Sequence, residues 1–278
     1  MLFQKLLNRV VRFRLYNTTD VFFIGYPKVG NTWIRFLVGR YFQLECSSEK
    51  LFLFDGMDRF WRCEKACIGP AIHFTHAPLE WDKQTANDLD LDLVVKPFRN
   101  KKVVLLVRHP LDTLVSFWFD LKHKGAKSYL GDLRTLLENE TLGLQKYTRF
   151  YNIWAGVRHE VKDIMLLRYE DLLSDTKNGF VSVMRFLGVE PEQLVANDAI
   201  DYCSFNNMQE LERQKKDFYY KSGLRVLPTG NSGDRNSFHV RRGKVEGFKD
   251  LLSVKECEDY ENVISKTLDE WYGYPFKT

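Results

Sequence analysis

The stretch FFIGYPKVGNTWIRF, residues 22–36, decides how the rest of the chain reads. Within it, Gly25-Tyr26-Pro27-Lys28-Val29-Gly30-Asn31-Thr32 satisfies the pattern G-x-x-x-x-G-K-[ST] at every defined position except one. Asn31 stands where the lysine belongs, and a lysine occurs three residues earlier, at Lys28. The apolar run DVFFIG over 20–25, ending at Gly, predicts a buried strand. Apolar residues at helical spacing over 31–44 predict a helix, with Asn31 or Thr32 expected to cap its start. A loop joining a strand to a helix turns backbone N–H groups and the positive end of the helix dipole towards an anion. An ordinary phosphate loop uses its lysine on terminal phosphates and its hydroxyl on Mg²⁺. With the lysine moved, Lys28 projects from the middle of the loop, where a bridging oxygen of a bound anion is within its reach.

The strand–loop–helix pattern recurs along the chain. Residues 101–123 place the run Val103–Val107 before Arg108, with Pro110 suited to a first helical turn. Residues 163–188 repeat the pattern as a strand, a short acidic turn and a helix ending at Gly188, and AIHFTH (71–76) is a weaker strand. Strands alternating with helices predict a single α/β domain, its central sheet mostly parallel and flanked by helices. Ligands of such sheets sit at the carboxyl ends of the strands, where Gly25–Thr32, His76, Arg108 and Tyr169 all fall. The expected organisation is a basic amphipathic segment over 1–19, a domain over 20–278 and a basic lid loop over 214–248. The N-terminal segment is expected to pack on the domain, with membrane contact as the alternative.

Bulk properties narrow the class. The 278 residues carry 41 basic and 37 acidic side chains, a net charge of +4 that is too even to argue for nucleic acid. No apolar run approaches the roughly 20 residues of a membrane span. Five cysteines, Cys46, Cys63, Cys67, Cys203 and Cys257, imply no disulfide framework, and a reduced cytoplasmic protein is expected. The Cys63–Cys67 pair has no second Cys/His pair with zinc-like spacing.

Three stretches carry a family resemblance. YPKVGNTW (26–33) resembles the 5′-phosphosulfate loop of the cytosolic-type sulfotransferases, P-K-[ST]-G-[TN]-T-W. RHPLDTLVS (108–116) is similar to their 3′-phosphate motif, R-[ND]-P-x-D-x-x-x-S. RRGKVEGFK (241–249) resembles their third signature, R-[KR]-G-x-x-G-x-W-K. The resemblance implies a P-loop-like fold that uses 3′-phosphoadenosine 5′-phosphosulfate, releases 3′-phosphoadenosine 5′-phosphate and needs no metal. It places Lys28, Val29, Gly30, Asn31 and Thr32 at the phosphosulfate end and Trp33 near the adenine. Arg108, Ser116, Arg241, Arg242 and Gly243 fall at the 3′-phosphate. Tyr169 in YED, with Ser204 and Phe205 in CSFNNM (203–208), falls beside the base. FTHAP (74–78) resembles K-[ST]-H-x-P and makes His76 the general base, with Phe74 in place of the usual lysine. His73, upstream on the same strand and expected on the same side, is the reserve base.

Further departures are Val29 for Ser or Thr, Cys203 for Thr, Phe248 for Trp and Glu246 for Gly, which is expected to alter the last turn of the lid. The acceptor is expected to be a small molecule, a phenol, alcohol, amine or sugar, in a pocket to which Trp61, Trp81, Phe117, Trp118, Phe119 and Tyr129 could contribute. KDLLSVKECE (249–258) resembles the family's dimerisation segment, with Lys249, Val254 and Glu258 matched, and implies a weak homodimer. Two rival readings are a degenerate P-loop nucleotide kinase and a non-catalytic member that only binds nucleotide. Carbohydrate-directed branches of the family share the donor motifs.

Overall fold

A computed structural model describes residues 16–47, 69–76, 83–124, 130–214 and 235–274. The expectations for the first fifteen residues, the Cys63–Cys67 pair, Trp61, Trp81, Tyr129 and the 215–234 part of the basic loop lie outside them. The sheet has four parallel strands in the order β2-β1-β3-β4. They are β1 (Val21–Gly25), β2 (Ile72–Thr75), β3 (Lys102–Val107) and β4 (Asp163–Arg168). The two central strands are continuous apolar runs because both faces are covered. All five residues of β1 and the last five of β3 are buried. The outer strand β2 instead alternates between buried and half-buried residues.

Helix α1 (Asn31–Glu45) follows β1, while α2 (Leu91–Val94) leads towards β3. After β3 come α3 (Pro110–Lys124), α4 (Leu133–Leu137) and α5 (Leu144–Val157). Pro110 opens α3 as expected, because its missing N–H is not needed there. After β4 the acidic stretch is not a turn. Tyr169–Ser174 forms a short helix, α6, and Asp175 then starts α7 (Thr176–Phe186) by accepting the Asn178 N–H. Glu170 and Asp171 in the first turn of α6 suit its positive end, which explains why the stretch folds this way. Helices α8 (Gln193–Tyr202), α9 (Phe205–Arg213) and α10 (Val254–Thr267) follow.

A buried tyrosine network fixes the carboxyl edge of the sheet. The Tyr151 hydroxyl donates to the Leu106 carbonyl at 2.6 Å and accepts the Tyr26 N–H at 3.1 Å. The Tyr26 hydroxyl reaches the Leu142 carbonyl, and the Tyr147 hydroxyl the Arg108 carbonyl. Loops that would otherwise leave backbone groups unsatisfied are thereby tied to α5.

Two buried carboxylates hold the basic C-terminal loop by its backbone. Glu212, 1% exposed, accepts the His239 and Val240 N–H groups. Asp112, 2% exposed, accepts those of Glu246 and Phe248. Phe248 takes the place of the family tryptophan, buried and stacked on His109 at 5.0 Å. Glu246 keeps the left-handed backbone, φ 59°, that a glycine would adopt more easily. Glu246→Gly is expected to raise the unfolding free energy by up to about 1 kcal/mol, since the lost exposed pair with Lys249 offsets only about a few tenths. Urea titration of the two proteins checks this.

Candidate active site

The elements converge on one cavity of about 580 Å³ at the carboxyl edge of the sheet. Lys28, Gly30, Asn31, Thr32, Trp33, His76, Arg108, Ser116, Tyr169, Ser204, Phe205, Arg241, Arg242 and Gly243 all line it. Val29 does not line it. Its side chain is buried beneath the loop, in the space that a Cβ on Gly25 would occupy.

Gly30, not Asn31 or Thr32, occupies the capping position of α1, and no side chain caps the helix. Gly30 has φ 104°, a conformation that Gly reaches without strain, and a Cβ there would come within 2.8 Å of the Tyr169 ring. Tyr169 can therefore close over the loop only because residue 30 has no side chain. The first N–H groups of α1 remain available to an anion.

Asn31 turns instead to His76, its Nδ2 standing 3.1 Å from Nδ1 and 3.4 Å from Nε2. His76 Nδ1 lies 2.7 Å from the Gly25 carbonyl, which can only accept. That contact assigns the ring proton to Nδ1 and the lone pair to Nε2. Burial, with smaller contributions from the charges of Arg35 and Lys28, lowers the His76 pKa to about 4. The imidazole is thus neutral at pH 7.

His73 is no reserve base. It precedes His76 by three positions, so the alternation of the strand sends the two to opposite faces. Its ring meets Phe22 edge-on, while Phe74 stacks on Phe23 on the other side of the sheet.

Three arginines of the cavity lining crowd together. Arg108 lies over the Tyr169 ring at 4.4 Å, and Arg241 over Phe119 at 3.9 Å. Arg242 pairs with Asp250 at 2.8 Å. Desolvation, then the charges of Arg242 and Arg108, pull the Arg241 pKa down to about 10. Arg108 Nε and Arg241 Nη1 are buried without a hydrogen-bond partner. Packed guanidiniums with unsatisfied donors define an anion site, because a bound phosphate relieves both the repulsion and the missing bonds. Aromatic rings also line the cavity. Trp33 donates its indole N–H to the Cys203 carbonyl and meets Tyr169 edge-on at 5.7 Å. A Cβ on Gly243, φ 58°, would come within 2.6 Å of Phe205, so the glycine lets the loop lie on that ring.

Sequence reasoning overlooks several residues. Arg108, Asp112, Ser116 and Asp120 recur every four positions, and all four line the cavity. Helical spacing along α3 is the signal that would find the two aspartates. Asp120 accepts a hydrogen bond from Lys28 Nζ at 2.9 Å. Arg35, one turn beyond Asn31, also lines the cavity, with its guanidinium 5.0 Å from the centre of the Phe74 ring. Among the described residues, no three His, Cys, Asp or Glu side chains gather as a metal site. Nor is any described helix long and apolar enough to cross a membrane.

Comparison with known proteins agrees with the geometry. The model of the sulfotransferase domain matches residues 18–272, and the chain belongs to that family. It is 25% identical to 3-alpha-hydroxysteroid sulfotransferase of Cavia porcellus, over 95% of this chain and 87% of that protein. It is 27% identical to sulfotransferase 2A1 of Homo sapiens, over 86% and 85%. Mouse sulfotransferase SULT7A1, solved with PAP, superposes with a TM-score of 0.60 at 18% identity, covering 92% of this chain and 88% of that one. Retinol dehydratase, solved with androsterone and PAP, gives 0.61 at 17% identity, covering 92% and 83%.

The depressed pKa values have a measurable consequence. His73, pulled to about 4 chiefly by burial, and His76 both resist protonation when folded but accept it when unfolded. Their contribution to stability is complete above pH 6.5 and is lost as pH falls towards 4. Thermal melts across that window should show a falling midpoint, and His76→Gln should make the fall shallower.

Proposed function

We propose that this protein transfers a sulfuryl group from 3′-phosphoadenosine 5′-phosphosulfate to a hydroxyl or amine of a small-molecule acceptor. The observation that carries the reading is one cavity lined by the neutral His76, Lys28, Arg108, Arg241 and Arg242 together. When bound, the donor supplies an electrophilic sulfur: a bond forms from the acceptor oxygen or nitrogen as the S–O bond to the 5′-phosphate breaks, and the phosphate keeps the electron pair. His76 Nε2 takes the acceptor's proton. Lys28 and the first N–H groups of α1 meet the charge that gathers on the phosphate oxygen. Gly30, Asn31 and Thr32, with the backbone of Val29, hold the phosphosulfate end. Arg108, Ser116, Arg241, Arg242 and Gly243 hold the 3′-phosphate, and Trp33, Tyr169, Ser204 and Phe205 bound the base.

A nucleotide kinase reading fits these residues less well, because Asn31, at the position of the P-loop lysine, faces His76. Transfer is accordingly expected to survive EDTA. A cytoplasmic location and weak self-association through 249–258 belong to the same reading. On that segment Val254 is 76% exposed, and Leu251 41%.

Calorimetry with 3′-phosphoadenosine 5′-phosphate and with adenosine 5′-phosphate tests the donor site. Loss of the 3′-phosphate should weaken binding at least about tenfold, since charged hydrogen bonds contribute roughly 1.5–3 kcal/mol each. Equal affinity would defeat the assignment.

A panel of phenols, alcohols, amines and sugars with labelled donor identifies an acceptor for rate measurements. His76→Ala should then slow turnover roughly 10²–10⁴-fold with little change in donor affinity. Arg108→Ala should mainly weaken donor binding, and Lys28→Ala should do both. Parental turnover in His76→Ala would remove histidine from the base role.

A further inference from the structure

One charged group at the reacting end has no part in this transfer scheme. Asp120, on the face of α3 that carries Arg108 and Ser116, lines the cavity with its carboxylate 2.9 Å from Lys28 Nζ. Neither side chain is far from burial, at 15% exposure for Lys28 and 27% for Asp120. A carboxylate there opposes the binding of a polyanion and the build-up of charge on its phosphate, so its presence needs a reason. Lys28 cannot place its full charge on a donor oxygen while Asp120 holds it. Once Lys28 turns to the donor, the Asp120 carboxylate is left in the same cavity as His76.

The groups around His76 govern its basicity. Arg35 from α1 and Lys28 from the loop act against its protonation, Asp120 from α3 favours it, and the Gly25 carbonyl and the Asn31 amide face the ring. On its own strand, His73 lies on the other face. Of these charges, Lys28 and Asp120 are paired at 2.9 Å, and drawing Lys28 away from that pair would leave less positive and more negative charge near the imidazole.

We propose that Asp120 is a positioning residue of the transfer step. It pairs with Lys28 before the donor binds, yields Lys28 to the donor's phosphate oxygens, and then serves as counter-charge to the imidazolium formed when His76 takes the acceptor's proton. Donor binding thereby makes His76 a stronger base at the moment a base is needed. The proposal rests on the sulfotransferase reading of the cavity.

Two measurements without any acceptor test it. In calorimetry with 3′-phosphoadenosine 5′-phosphate, Asp120→Asn should bind roughly two- to tenfold more tightly than the parent, because no ion pair has to be opened. Asp120→Ala should do the same. A carboxylate that merely props the loop would make both variants weaker binders, and unchanged or weakened affinity overturns the proposal.

The second measurement follows the ring signal of His76 by NMR titration, assigned by its loss in His76→Ala. Nucleotide should raise the His76 pKa in the parent, and by less in Asp120→Asn. An equal rise in both, or none in the parent, also overturns the proposal. A parent that binds no nucleotide at all would sink the donor reading itself, and this proposal with it.

Discussion

The structure depends on a helix start that no side chain satisfies. Helix α1 begins behind a left-handed glycine, and the side chain best placed to cap it, Asn31, is committed to His76. A helix end stripped of its cap is normally a loss of about 1 kcal/mol. Here it leaves a group of N–H donors with one remaining kind of partner, an anion arriving from the carboxyl edge of the sheet. Much of the surrounding architecture keeps that arrangement in place. β1 is wholly buried, Tyr26 and Tyr151 tie the loop to α5, and Tyr169 closes over Gly30 in space that any Cβ would fill.

The cavity lining holds two kinds of charge arrangement. Arginines are crowded until one has its pKa pulled down to about 10, a cost that a doubly charged phosphate would remove. Around a histidine kept neutral by burial the charges are nearly balanced, with Lys28 against Asp120. On the proposed reading, the crowded arginines meet the part of the donor that transfer leaves unchanged, and the balanced group meets the part where bonds change.

The legibility of each feature in the sequence depends on how local its signal is. The four strands are legible because an apolar run ending at Gly or before a basic residue is a local pattern. Lys28, Gly30, His76, Arg108 and Tyr169 are legible because they follow strands, and the other motif residues because short family motifs carry them. Tyr169-Glu170-Asp171 reads as a turn because six residues are too few to show a helical period. His73 is misjudged on a point of parity that the alternation of β2 decides. The roles of Asp112, Glu212 and Asp120 are not legible in the same way. A carboxylate shows such a purpose through distant partners: the loop N–H groups that Glu212 and Asp112 accept lie 27 to 136 residues away, and Lys28 lies 92 from Asp120. Glu246 is a different case, since a left-handed turn imposed by Asp112 leaves no mark on a residue that adopts it against preference.

Glu212 and Asp112 hold the basic loop by backbone N–H groups, those of His239 and Val240 and those of Glu246 and Phe248. Any residue except proline presents such a group, so these anchors are blind to the side chains they hold. The path of the loop and its composition are therefore separate properties of this molecule. Substitutions can accumulate along it and re-tune which anion or acceptor the cavity favours while the chain keeps the same trace. Loss of either carboxylate would move Arg241, Arg242 and Gly243 together, as one unit. In evolutionary terms, the loop is an interchangeable part mounted on two fixed bolts.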